Sequence, residues 1–234
     1  MMVVNSINYK TYNKIYQSMD AEHNYPNTNL VRLEKWFFNS KPGKVLDHGC
    51  GYGENSIFLA NLGYNVTSSE ISQNLLNHVR KKINHKCKNK KKISLRLINE
   101  NASTIDFESS SFDYIVSLGV LEMLGDKNSA KFLINEFYRC LKPNGKMIIS
   151  TLAMKNTFVK NSKKLSFERY HFKKYEKYKR KLSLEYKLYI PSSKKSFANL
   201  FPNKNDIDLE IGSWDNDYCG VEGKHLVALL KKSV

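Results

Sequence analysis

The chain is short of cysteine, short of arginine and without a long apolar run, and each shortage removes a class of protein. Cys50, Cys87, Cys140 and Cys219 are scattered with no C-x-x-C pair. That argues against a zinc site or a disulfide framework and fits a reducing cytoplasm. The longest apolar stretches, such as Met147 to Met154, fall far short of the ~20 residues that span a bilayer. The first ten residues, Met1 to Lys10, lack the charged start and long apolar core of a secretory signal. These shortages point to a cytoplasmic protein with no membrane partner. Only six of the 38 basic residues are arginines. Arginine is the preferred fork for phosphates and base edges, so its scarcity weighs against nucleic acid even at a net charge of +16. The chain is also rich in Asn and Ile, and compositional drift toward lysine on solvated faces competes with an anionic partner as the source of the charge.

At 234 residues the chain has room for one α/β domain with an insertion. Its most informative stretch is Lys44-Val-Leu-Asp-His-Gly-Cys-Gly-Tyr-Gly53, an apolar run closing on an acid and three alternating glycines. Glycine at 49, 51 and 53 permits positive φ and brings the backbone close to a ligand. Residues 54 to 62 then carry apolar side chains at helical spacing, and the run from Tyr64 closes on Glu70. Strand, glycine turn, helix, strand and acid follow in order, which places Glu70 to accept hydrogen bonds from ribose hydroxyls. A dinucleotide site calls for G-x-G-x-x-G, whereas this chain has G-x-G-x-G after an acid. A glycine-rich turn with no ligand is the bland alternative.

With Asp47-x-Gly-x-Gly-x-Gly53 and Glu70, the chain resembles the class I S-adenosylmethionine-dependent methyltransferases over roughly residues 40 to 153. The resemblance implies a doubly wound, mostly parallel seven-stranded sheet with an antiparallel last strand, and S-adenosylmethionine as cofactor with no metal. It implies cofactor contacts from Asp47, Gly49, Gly51, Gly53, Glu70, Ile71, Asn101, Ala102 and Leu118. Pro143-Asn144-Gly145 reads as the turn into the fifth strand. Three residues depart from the family pattern: Asn144 stands in a turn that often reads Pro-Gly-Gly, His48 where an aliphatic residue is usual, and Met123 where His often follows Glu122.

Residues 1–40 read as an amino-terminal helical lid ahead of a methyltransferase domain at 41–234. A stripe of Tyr9, Tyr12, Ile15, Tyr16 and Met19 is either a packing face or a cover over the cofactor, with Tyr16 beside it and Tyr12 nearer the substrate. Trp36-Phe37-Phe38 reads as core, and Lys81 to Lys92 as a solvated loop. Residues 155–195 break the strand–helix alternation with fourteen Lys or Arg, three Glu and many aromatics. This insert reads as a substrate cap, a nucleic-acid surface or a dimer contact. Arg32, Tyr170, Trp214 and Tyr218 are the remaining substrate candidates, and His23, His171 and His225 the candidate bases, with Glu122 behind them. The fourth strand ends in Ser117-Leu118-Gly119-Val120 rather than the Asn/Asp-Pro-Pro-Tyr of enzymes acting on base amines. The expected activity is O-methylation of a small anionic or sugar-like metabolite. The alternatives are an RNA methyltransferase and a protein that holds the cofactor without transfer.

Overall fold

The computed structural model describes residues 7–12, 25–99, 105–176, 182–202, 205–215 and 222–233. Helix α1 covers residues 7–12, and α2 (Thr28–Leu33) runs into a π-turn at Glu34–Phe38. The strands β1 (Lys44–His48), β2 (Asn65–Glu70), β3 (Ile93–Leu97), β4 (Phe112–Leu118) and β5 (Leu141–Leu152) are parallel. Between them lie α3 (Glu54–Asn61), α4 (Gln73–Lys86) and α5 (Lys127–Cys140). Strand β10 (His225–Lys232) inserts antiparallel between β5 and β9 (Ile207–Trp214), giving the order β3-β2-β1-β4-β5-β10-β9. This is the seven-stranded doubly wound sheet expected, antiparallel last strand included.

Alternation along each strand explains why both faces are covered. Leu46, Ile115 and Ile149 pack into one apolar layer under α5, while their neighbours Val45, Val116 and Ile148 pack into the other, under α2, α3 and α4. Helix ends are fixed locally. Asp126 caps α5 by accepting from the Ser129 amide at 2.9 Å, and Ser72 caps α4 by accepting from Leu75.

Two sequence expectations change here. Trp36 is largely exposed, and of its neighbours only Phe38 is buried in the core. Much of the Lys81–Lys92 run is helix rather than loop. Lys82 lies on the buried face of α4, three residues beyond Val79, with its ammonium on the Glu54 carboxylate.

The basic insert is itself a sheet. Strands β6 (Lys163–Ser166), β7 (Arg169–Glu176) and β8 (Leu182–Tyr189) form an antiparallel meander after the short α6 (Thr157–Lys160); α7 (Lys194–Ala198) follows. Tyr170, Phe172, Tyr186, Leu188 and Ile190 close a third apolar cluster onto Leu152, and Phe158 stacks on Phe172 with centroids 3.9 Å apart. These aromatics are core, not an exposed stacking platform.

The free edge of β8 is covered by α1. The Asn8 side chain donates to the Lys187 carbonyl at 2.7 Å and accepts from the Lys187 amide at 2.7 Å, as a neighbouring strand would. Thr11 donates to the Glu185 carbonyl at 2.8 Å. Of residues 1–40, α1 alone among the described elements reaches the carboxyl ends of the strands; α2 packs on the face of the sheet through Leu30.

Candidate cofactor site

At the carboxyl end of β1 the chain turns through Gly49, Gly51 and Gly53 with φ of 71°, 55° and 81°. The turn is clamped to β2, where the amides of Gly49 and Cys50 share the Ser69 carbonyl at 2.8 and 3.1 Å. Asp47 lies beneath, buried, accepting from Ser56 Oγ at 2.5 Å, while Ser68 donates to Ser56 at 2.7 Å. Burial, with the Glu70 and Glu54 carboxylates nearby, pushes Asp47 up to about 6. Its position ties α3 to β1 and β2, so it shapes the turn from below. A Cβ on Gly53 would come 2.7 Å from Val79, and one on Gly49 would come 2.3 Å from Val120. Gly51 differs. A Cβ there would meet no atom within 4 Å, so its backbone faces open space.

Glu70, at the end of β2, is almost completely buried. One carboxylate oxygen accepts from the amides of Ile71 (2.8 Å) and Ser72 (3.3 Å). The other accepts from the Gly51 amide (3.1 Å) and the Tyr12 hydroxyl (3.3 Å). Burial raises its pKa and these hydrogen bonds oppose the rise. Tyr12 therefore stands on the acid where a ribose hydroxyl was expected to stand.

Beneath α1 lies a cavity of about 70 Å³ lined by Tyr12, Glu70, Ile71, Ile98, Gly119 and Val120, among others. Ligand sites for metabolites typically run to several hundred Å³, so this cavity is smaller than a cofactor needs, with α1 forming one of its walls. His48 also borders it, buried, with Nδ1 3.2 Å from Ser69 Oγ and its ring edge-on to Phe137. Burial lowers it to about 4, which keeps it neutral. This matches the packing role read from the sequence.

Gly49, Glu70, Ile71 and Tyr12 come together at the cavity, and Gly51 joins them through its bond to Glu70. Leu118 does not line it; the chain turns in with Gly119 and Val120 instead. Of the candidate bases, His171 is held by Glu185 at 2.8 Å on the insert, and His225 Nδ1 lies 2.6 Å from the Gly223 carbonyl. Neither borders the cavity. Arg32 and Trp214 share a separate concavity between α2 and β9, which has no lining residue in common with the first. Tyr170 is core, its hydroxyl 3.3 Å from Met154 sulfur. Tyr16, His23, Asn101, Ala102 and Tyr218 lie outside the described residues. Gly119, read from the sequence with Leu118 as facing the methionine part of the cofactor, does line the cavity, whereas Asn8 and Leu124 were missed. Asn8 carries no local signal, because its partners are 115 and 179 residues away.

One further group stands behind the cavity. Glu122, in the 3₁₀ turn Leu121–Leu124, is buried and accepts from Thr151 Oγ1 at 3.1 Å. Burial pushes it up to about 7. Among the described residues no cluster of three or more His, Cys, Asp or Glu is arranged to hold a metal ion, and no helix is long and apolar enough to cross a membrane.

A family model described as "Methyltransferase domain" matches residues 46–149. The probable S-adenosyl-L-methionine-dependent methyltransferase TehB of Haemophilus influenzae is 37% identical over 97 residues, 40% of this chain and 31% of that protein. Phosphoethanolamine N-methyltransferase 2 of Caenorhabditis elegans is 29% identical over 122 residues, 51% of this chain and 26% of that protein. The chain thus spans about a third or less of the length of these relatives. Among solved structures, the N-methyltransferase NodS of Bradyrhizobium japonicum, in complex with S-adenosyl-L-homocysteine, shares the fold with a TM-score of 0.63 at 14% identity. That match covers 97% of this chain and 99% of that one.

Proposed function

Because the chain belongs to the class I, Rossmann-like S-adenosylmethionine-dependent methyltransferases, we propose that it transfers the methyl group of that cofactor to a small-molecule acceptor. The observation that carries the reading is the pairing of Glu70 with Gly51. A buried carboxylate at the end of β2 reaches across to a turn whose central glycine opens on empty space. That space is where a cofactor fits and a side chain would intrude.

In this reading Glu70 exchanges the Tyr12 hydroxyl for ribose hydroxyls, the backbone of residues 49–51 holds the methionine end, and Ile71 and Ile98 supply apolar contact. When bound, the cofactor supplies an electrophilic methyl group on a sulfonium. The protein's part is to position the acceptor and exclude water, worth several kcal/mol in well-oriented systems. Helix α1, fastened to β8, closes the site from outside.

The sequence favoured an oxygen on a sugar-like or anionic metabolite. The cavity's described lining includes no Lys or Arg, so a neutral or cationic reacting group suits it better than an anion. The RNA alternative rested on aromatics among the insert's lysines, and four of those aromatics, Phe158, Tyr170, Phe172 and Tyr186, pack into the insert's own apolar cluster. That burial favours the small molecule. Calorimetry with S-adenosylhomocysteine and NAD tests the cofactor, and binding of the first alone is expected. Preference for NAD would overturn the class of activity. Methylation of mixed tRNA in preference to a metabolite panel would overturn the acceptor.

A further inference from the structure

We propose that Glu122 is a catalytic residue, that its carboxylate takes a proton from the methyl acceptor, and that this acceptor is an amine arriving as an ammonium ion. This rests on the methyl-donor reading above and deepens it.

The placement comes from the sheet order. The expected ribose site is Glu70 at the end of β2, the glycine turn stands at the end of adjacent β1, and the next strand, β4, ends at Gly119. A ligand extended from Glu70 across the turn reaches Gly119 two strands away, roughly 10 Å at ordinary strand spacing. Gly119 and Glu70 line the same cavity. The backbone at Gly119 takes φ +75°, and the one atom within 4 Å of a Cβ built there is Glu122 Oε1, at 3.5 Å. The missing side chain thus brings the buried Oε1 close behind the cavity wall at Gly119. Oε2 is occupied by the Thr151 hydroxyl, and the Leu152 amide also donates to the carboxylate. A backbone hydrogen bond at residue 122 itself joins these contacts from β5, and together they fix the carboxylate behind Gly119.

The chemistry follows from burial. Among the described residues Glu122 has no cationic partner, and desolvation is the largest influence on its proton affinity, which places it near neutrality. An ammonium ion brought beside it, among Ile71, Ile98, Met123 and Leu124, loses hydration as well. Desolvation disfavours both charged forms while their mutual attraction holds them together as a hydrogen-bonded pair, and transfer of the shared proton from nitrogen to carboxylate frees the amine lone pair. Nitrogen forms its bond to the methyl carbon, the electron pair of the broken sulfur–carbon bond stays on sulfur as a neutral thioether, and Oε1 keeps the proton. A carboxylate or phosphate acceptor would be repelled here. A sugar hydroxyl holds its proton far too tightly for a group titrating near 7 to remove before reaction. The three histidines weighed as bases offer no competitor among the described residues: His171 and His225 are engaged elsewhere and His23 is not described.

The test needs no acceptor. Sinefungin is an S-adenosylmethionine analogue with an amino group where the sulfonium methyl would be, and S-adenosylhomocysteine lacks that group. Calorimetry at pH 8 should show wild type preferring sinefungin by about tenfold, the size of a hydrogen bond to a charged group. Glu122→Gln should lose that preference and keep its S-adenosylhomocysteine affinity, which also reports that the variant is folded. Glu122→Asp, with the charge drawn back by one methylene, should retain part of it, and this variant serves if the Gln form does not fold. Full preference in either variant, or none in wild type, overturns the role of Glu122 alone. If wild type binds neither compound, the methyl-donor reading falls first and takes this proposal with it.

Discussion

Replacing Gly51 with alanine separates a shape made for a ligand from a shape made for folding. The residue sits at φ +55°, where an L side chain is disfavoured by ~1–2 kcal/mol. The lost chain entropy of glycine returns ~0.4–1 kcal/mol through the unfolded state. No atom lies within 4 Å of the new methyl, so no clash adds to this. The net destabilisation is about 1 kcal/mol, a fall in Tm of roughly 2–4 °C for a chain of this size. Ligand binding should suffer far more, since the methyl projects into the space assigned to the cofactor. Overpacking of ~1–3 kcal/mol corresponds to a loss of about 5- to 150-fold in affinity. Calorimetry with S-adenosylhomocysteine and a thermal melt on the same sample measure both quantities. Gly53→Ala is the control. Its Cβ falls 2.7 Å from Val79, so it should lose stability by displacing α4. A folded Gly51→Ala protein binding S-adenosylhomocysteine within twofold of wild type would refute the assignment of the turn.

Tyr12→Phe removes the hydroxyl that occupies Glu70 and should tighten S-adenosylhomocysteine about 2- to 10-fold, the range of one net hydrogen bond; weaker binding would mean that Tyr12 serves the ligand instead. Glu122, shifted from 4.5 to about 7, gives a pH signature in urea unfolding. Below pH 4.5 both states are protonated and the group contributes nothing; between 4.5 and 7 the unfolded state binds fewer protons, so wild type loses up to about 3 kcal/mol as pH rises, then levels off. Glu122→Gln, having no proton to lose, should be the more stable protein at pH 8 and show no advantage at pH 4; an equal gap at both would refute the buried charge. Phe172→Ala, in the insert's cluster, should lower stability by ~3–5 kcal/mol, and a neutral melt would refute the packed insert.

What the sequence disclosed and what it hid follow from the range of the interactions. The glycine turn, Glu70 and the strands around them were legible because each rests on neighbours in the chain, on φ requirements and on alternation. His171 and His225 were weighed by ring chemistry alone, without knowing what each ring touches. The small sheet was overlooked although its signal was present. Tyr170 and Phe172 alternate with Arg169, His171 and Lys173, and Tyr186 and Leu188 with Glu185 and Lys187, which is strand spacing. Lysine abundance hid it, as it hid Lys82 at a buried helical position. The seat of α1 was out of reach, because Asn8 meets Lys187 only once the fold has closed a loop of 179 residues.

The amide of Asn8 does for β8 what a fourth strand would do, satisfying backbone groups that would otherwise stand ready to pair with another molecule. Any excursion of α1 that admits a ligand therefore uncovers raw sheet margin at the same moment. Protein kept without ligand should self-associate faster as α1 spends more time away, and a saturating ligand that returns the helix should act as an anti-aggregant beyond its effect on unfolding. Storage behaviour of this protein is thus tied to the traffic through its own entrance.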